Sequence, residues 1–386
     1  MLHSRTRKCN FCSAFQKPYN ERILFYTKNI IFFYKIRGEN SRVVQDDIPK
    51  ILCKFVANIK AIMKLRNVLI LSLCAIMAGA VTARADNDEI EAAKARCVKV
   101  TLKDQGLERE AWLYVPEKQV NTESSSAAAA AANAASVSAA ATASDTPLPL
   151  VMVLHGYGGT ALNGGRRFFD LADRFGFAVC WPQGAKDGKG KNCWNVGYPV
   201  QEGYKIDDEK FICRLVRKLQ KEYGLSRKNV FLTGMSNGGE MCYMMAADHP
   251  ETFSAIASIA GLTLTCMKAE YTEPVPFMEV HGTADRTSEW GGDPDNEGGW
   301  GAYFNVPLAV GRIVAANRCL TETVTRVPSY TGEVLLHSYG RGLPAWEGGP
   351  SADVLLYEVK DGPHSWSEKY IPTCDLVWDF FAKYLR

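Results

Sequence analysis

The chain has 386 residues, room for one large or two small domains, and a formal charge of +3 that hides an uneven distribution. Residues 1–85 hold 15 Lys and Arg against 4 Asp and Glu, which leaves 30 basic and 38 acidic residues for the remainder. An acidic body of that kind offers no electrostatic footprint for nucleic acid or anionic lipid, so neither is expected as a partner.

The basic front end is punctuated at Met63. Lys64-Leu65-Arg66 is followed by an apolar run from Val68 to Val81 and then by Ala83-Arg84-Ala85. A positive segment, an apolar segment and an A-x-A site form the pattern of a secretory signal peptide. At 14 residues the run is short for a membrane span. Met63 is therefore expected to be the initiator, with residues 1–62 an unstructured, over-extended N-terminus and 63–85 the signal peptide. Residues 86–386 are then expected to be one exported domain, secreted or periplasmic, with no membrane anchor after cleavage. Cys9 and Cys12 form a C-x-x-C without a second pair, which is a weak metal or redox signal.

Eight of the twelve cysteines follow residue 85, and an oxidising compartment permits disulfides. Cys180, Cys213 and Cys242 lie in apolar runs and read equally as buried thiols. Cys193, Cys266, Cys319 and Cys374, nearer loops and helix ends, are the better bridge candidates, with their pairing open.

After a short helical lead-in, Cys97–Lys103 alternates with period two and Ala111–Val115 follows a Gly106 turn, which predicts a hairpin. Residues 122–146 are almost wholly Ala, Ser, Thr, Asn and Val, without apolar periodicity, and read as a solvated low-complexity insertion. Leu148–Leu154 is an unbroken apolar run, the mark of a strand covered on both faces. A helix over Phe168–Phe175, a strand over Phe177–Trp181 and a helix capped at Asp207-Asp208 come next, the last keeping a 3.6-residue period until Gly224. Asn229–Leu232, Phe253–Ile259, Pro276–Val280 and Val354–Val359 read as further strands, with Thr323–Arg326 and Val334–His337 between the last two. Helices are predicted over Asn237–Asp248, Pro307–Asn317 and Cys374–Tyr384. Alternating strands and helices imply an α/β fold, a doubly wound, mostly parallel sheet flanked by helices in a three-layer sandwich. Ligands gather at the C-terminal ends of the strands in such a sheet.

Those ends carry the chemistry. Gly234-Met235-Ser236-Asn237-Gly238 fits the G-x-S-x-G turn that presents a serine nucleophile between strand and helix. Asp285 follows Ser236 by 49 residues, and His364 follows Asp285 by 79. The order Ser, Asp, His is that of one known class of catalytic triad. In these roles His364 is the general base for Ser236, and Asp285 fixes the imidazole tautomer. His155-Gly156-Tyr157-Gly158-Gly159 reads as an oxyanion loop, with the backbone N–H groups of Tyr157 and Asn237 as donors. His155 and His281, each followed by glycine at a strand end, are assigned to structural hydrogen bonding.

With these residues in place, the stretch from Leu148 to Arg386 resembles the polyhydroxybutyrate depolymerase and feruloyl esterase group, carbohydrate esterase family 1-like α/β-hydrolases. The resemblance rests on the His155 to Gly159 loop, Leu171-Ala172-Asp173, Trp181-Pro182-Gln183, Cys193-Trp194-Asn195, the Ser236 turn, His281 to Asp285, Asn317-Arg318-Cys319 and His364-Ser365-Trp366. It implies a secreted serine esterase without cofactor or metal, acting on small or polysaccharide-linked esters. The triad and the oxyanion donors named above are the same under the resemblance. Pro363 before His364, and Ser367 where the group has proline, depart from its pattern, and the alanine-rich insertion is not a feature of the group. Trp194, Trp290, Trp300 and Trp366 are candidate substrate contacts, since aromatic faces suit sugars and phenolic acyl groups. The substrate expected is a feruloyl or acetyl ester on plant polysaccharide, with a polyester depolymerase, an exported serine peptidase and an inactive binding protein as alternatives. N-terminal sequencing of the exported protein is expected to begin at Asp86; a chain beginning at Met1 would contradict the assignment of Met63.

Overall fold

The computed structural model describes residues 88–117, 146–267 and 270–386. The expectations for residues 1–62 and 63–85, and for all but the last residue of the 122–146 insertion, lie outside the described residues. Among the described residues no helix is long and apolar enough to cross a membrane.

A helical stretch at residues 88–95 precedes a hairpin of β1 (Val98–Asp104) and β2 (Leu107–Tyr114). Then follow β3 (Leu150–Leu154), α1 (Phe168–Phe175), β4 (Ala178–Pro182), the two-residue strands β5 (Ala185–Lys186) and β6 (Asn192–Cys193), and α2 (Asp208–Tyr223). Strand β7 (Val230–Met235) leads into α3 (Asn237–Asp248), followed by β8 (Ala255–Ile259), β9 (Phe277–Gly282) and α4 (Val306–Ala316). The chain ends through β10 (Thr321–Arg326), β11 (Val334–Gly340), β12 (Val354–Val359) and α5 (Thr373–Ala382). The sheet order is β1-β2-β4-β3-β7-β8-β9-β12-β11-β10. The six strands from β4 to β12 run parallel, and antiparallel pairs flank them at both edges. This is the doubly wound, mostly parallel sheet expected. The β5–β6 hairpin is an addition, since two-residue strands leave no periodic trace in sequence.

The three layers can be read from one strand. In β3 every residue is buried, yet alternate side chains point to opposite faces. Leu150, Met152 and Leu154 join a core with residues of α2, α3 and α4, among them Phe211, Leu215, Met241 and Val310. Val151 and Val153 join a second core with Phe168 and Leu171 of α1 and Val377 and Phe381 of α5. Fully burying each large apolar side chain contributes about 1.5–3 kcal/mol, which is why an unbroken apolar run is tolerated only where both faces are covered.

None of the eight cysteines after residue 85 is bonded to another, which corrects the bridge expectation for Cys193, Cys266, Cys319 and Cys374. Of these four, Cys193, Cys266 and Cys319 make their hydrogen bonds in separate places. Cys193 Sγ accepts from Gln201 Nε2 at 3.3 Å, Cys266 Sγ faces the Gly197 carbonyl, and Cys319 Sγ faces that of Ala352. Cys374 is buried within the α5 core.

One polar contact within the apolar layer bears on the site. Asp208, the first residue of α2, is wholly buried and accepts from Arg109 Nη2 at 2.7 Å and from the Asn195 N–H at 2.8 Å. The Arg109 guanidinium lies 3.8 Å over the Phe211 ring, a cation–π arrangement. The pair thereby ties strand β2 to the loop of Trp194 and Asn195. Arg109→Leu is expected to cost about 3–5 kcal/mol in urea denaturation, because Asp208 is left buried without its counter-charge. A loss under about 1 kcal/mol, the value of an exposed pair, would show that Asp208 does not depend on Arg109.

Candidate active site

The turn between β7 and α3 is built on contact distances that exclude side chains. A Cβ on Gly234 would lie 2.6 Å from the Gly238 carbonyl, and one on Gly238 would lie 2.6 Å from the Leu154 carbonyl oxygen. Between them Ser236 is held at φ 57° and ψ −123°, a backbone conformation that costs on the order of 1–3 kcal/mol for a residue with a side chain. Its N–H donates to the Ile259 carbonyl at 2.8 Å. Asn237 opens α3, so its N–H belongs to the first helical turn, which has no intrahelical acceptor.

The Asn237 side chain is wholly buried and serves as a clamp. Its Oδ1 accepts from the Trp194 N–H at 2.7 Å and its Nδ2 donates to the Trp194 carbonyl at 3.1 Å. Trp194 in turn donates its indole N–H to the His155 carbonyl at 2.8 Å. Trp194, a candidate substrate contact from sequence, has no exposed surface and lines neither cavity at Ser236; here it braces this turn. His155 plays the part expected of it. Its Nδ1–H donates to the Gly156 carbonyl and its Nε2 accepts from the Gly184 N–H at 2.9 Å. Burial lowers its pKa to about 4, which keeps the ring neutral.

The glycine-rich loop that follows lies against Ser236. A Cβ on Gly156 would sit 3.7 Å from Ser236 Oγ. The loop is stapled to the β5–β6 hairpin by the Gly158 N–H to the Asn192 carbonyl, by Asn192 Nδ2 to the Gly159 carbonyl, and by the Tyr157 hydroxyl to Asp187 at 2.5 Å.

Asp285 and His364, distant in sequence, are brought together because β9 and β12 are parallel neighbours, with Gly282 opposite Val359. Both residues leave the C-terminal ends of these strands. The Ala284 N–H donates to the Gly362 carbonyl, which joins the two loops. His364 Nδ1 then lies 2.7 Å from Asp285 Oδ2. The other carboxylate oxygen accepts from the N–H groups of Thr287 and Ser288 at 2.8 and 2.9 Å. Burial works against the Asp285 charge, but the His364 hydrogen bond and charge and the two amides outweigh it and hold the carboxyl below its ordinary range. Behind Asp285, buried His281 meets Glu279 Oε1 at 2.9 Å on Nδ1 and the Ser288 carbonyl at 2.7 Å on Nε2. Burial opposes protonation of that ring, yet Glu279 and the Ser288 carbonyl raise its pKa.

Ser236 stands between two cavities. One, about 310 Å³, is walled by His364, Trp366, Trp181 and the Gly156–Gly159 loop. The other, about 10 Å³, is walled by Glu240, Tyr198, Leu262, Trp300, Thr287 and Ser288. Of the four tryptophans singled out in sequence, Trp366 lines the large cavity and Trp300 the small one. Trp290 lines neither and packs edge-on to His281 at 6.1 Å.

Glu240 escaped the sequence reading. It sits on the first turn of α3, one turn beyond Ser236, is almost wholly buried, and accepts a hydrogen bond from the Tyr198 hydroxyl. An acidic residue in an otherwise apolar helix was the signal available. Burial pushes its pKa up to about 8, against the hydrogen bonds from Tyr198 and Asn237. An unfolded glutamate titrates near ~4.3. The folded protein thus keeps a proton that the unfolded chain has released, and the stability linked to it is lost as pH rises through about 8. Thermal melts are expected to show Glu240→Gln gaining on the wild type between pH 5 and pH 9; a pH-independent difference would contradict the shift.

Residues 133–288 match the family model described as Esterase PHB depolymerase. Feruloyl esterase B of Neurospora crassa is 31% identical over 146 residues, which are 36% of this chain and 49% of that protein. An acetylxylan esterase of Coprinopsis cinerea is 34% identical over 146 residues, 36% of this chain and 38% of that protein. The matched part thus spans under half the length of these curated relatives. Among solved structures, an acetyl xylan esterase from Aspergillus awamori aligns with 74% of this chain and 99% of its own at a TM-score of 0.47 and 16% identity. Over the part matched in sequence, which carries the Ser236 turn, the chain is thus similar to the esterase PHB depolymerase family and to feruloyl and acetylxylan esterases.

Proposed function

We propose that the protein is an exported serine esterase that cleaves carboxylic esters through an acyl-Ser236 intermediate, its substrates feruloyl or acetyl esters on plant polysaccharide. The observation that carries the reading is the 2.7 Å contact between His364 Nδ1 and Asp285 Oδ2, with His364 and Ser236 lining one cavity. With Nδ1–H donated to Asp285, the free ring nitrogen Nε2 is the base. It takes the Ser236 proton as Oγ bonds to the ester carbon, and the carbonyl oxygen becomes an oxyanion. The N–H groups of Tyr157 and Asn237 receive that charge, aided by the positive end of α3. Collapse breaks the bond to the alcohol oxygen, which takes the proton from His364. A water molecule repeats the sequence on the acyl-serine and releases the acid.

The Met63–Ala85 pattern supports export, and the similarity to feruloyl and acetylxylan esterases supports the substrate class. The test is turnover of methyl ferulate, acetylated xylan, short polyhydroxybutyrate and a peptide amide by the purified protein. Ser236→Ala is expected to lower kcat by about 10⁶-fold and Asp285→Asn by about 10⁴-fold. Undiminished turnover in Ser236→Ala would remove the nucleophile from the proposal. Hydrolysis of the amide or the polyester alone would favour the peptidase or depolymerase alternative.

A further inference from the structure

We infer that the small cavity behind Ser236, closed by Glu240, Tyr198 and Trp300, receives the acyl group of the ester and limits it to acetyl. This rests on the esterase reading above and divides the substrate between two sides of the nucleophile. The leaving alcohol must collect a proton from His364, so its oxygen has to lie within hydrogen-bond reach of that ring, about 2.6–3.2 Å. His364 lines the large cavity and not the small one. The alcohol therefore occupies the 310 Å³ side, whose walls include Trp366 and Trp181.

With Oγ bonded to the ester carbon, the oxyanion directed to the loop and the alcohol directed to His364, one substituent remains. It points to the other space that Ser236 borders. That space is about 10 Å³, room for one water molecule or a methyl group. Its walls are held from behind. Glu240 accepts from the Tyr198 hydroxyl, Tyr198 lies 5.1 Å from the Trp300 ring, and Trp300 meets Tyr157 edge-on at 5.4 Å. A chain longer than acetyl meets a buried carboxyl that is itself hydrogen-bonded. Of the two acyl groups in the proposed function, this narrows the substrate to acetyl, since a feruloyl group is too large for the space, while the alcohol side is left permissive.

The test is kcat/KM for p-nitrophenyl acetate, propionate, butyrate and hexanoate, which share one leaving group. The wild-type protein is expected to favour acetate over butyrate by roughly 100-fold, since one methylene is worth 10–200-fold in a fitted pocket. Glu240→Ala, which removes the wall, should raise the butyrate-to-acetate ratio at least about tenfold, and Glu240→Gln, which keeps its volume, should leave the ratio within about threefold. If Glu240→Ala does not fold, Trp300→Ala opens the same cavity from a partly exposed position and should shift the ratio in the same direction. Equal wild-type turnover of acetate and butyrate, or an unchanged ratio in the enlarged variants, overturns the inference. Ser236→Ala on acetate separates the two readings. Undiminished turnover there overturns the catalytic assignment and this inference with it. Ser236-dependent turnover with a flat chain-length profile overturns the acyl limit alone.

Discussion

Everything at this site depends on how closely strand β7 and helix α3 approach at their turn. The backbone there passes within 2.6 Å of where side chains would begin, both at Gly234 and at Gly238. That packing holds Ser236 at a positive φ and starts a helix at the next residue. The strain is held by buried polar clamps and not by the turn itself. Asn237 is bonded twice to Trp194, Trp194 to His155, and Asp208 to the neighbouring Asn195. Each bond is made in a water-poor interior, where leaving any of these groups unpaired would cost about 1–3 kcal/mol.

Much of this was legible in sequence because it is encoded by local pattern. The apolar run of β3, the period of α2 and its stop at Gly224, and the extents of α1, α3 and β12 all follow from side-chain periodicity and glycine placement. Ser236, Asp285 and His364 could be named because each ends a strand in a known order. Their contact was not local: it needs β9 and β12 to be parallel neighbours, which no spacing in sequence specifies.

The illegible parts are those decided by three-dimensional closure. Trp194 stands in a loop and reads in sequence as a candidate substrate contact, but the loop folds inward and the ring becomes part of the core. The four cysteines read as bridge candidates also sit near loops, yet their thiols face carbonyls, a glutamine and a helix core instead of one another. Glu240 is the converse. An acidic residue one turn into a helix reads as a solvated charge complementing the helix dipole. Its position on the buried side of α3, against Tyr198, makes it instead a neutral wall next to Ser236.

The sheet also has a second pole. Strand β2 runs antiparallel to β4, with Tyr114 opposite Val179, and β3 begins with Leu150 opposite Ala178. The chain therefore leaves β2 and enters β3 at the N-terminal ends of the parallel strands, while Ser236, Asp285 and His364 all stand at the C-terminal ends. The two described ends of that connection, Tyr114 and Leu150, are in this way set apart from Ser236, Asp285 and His364 by the full length of the strands. A tag or a binding module joined at either of those two ends would therefore enter the molecule at the pole away from the Ser236 cavities.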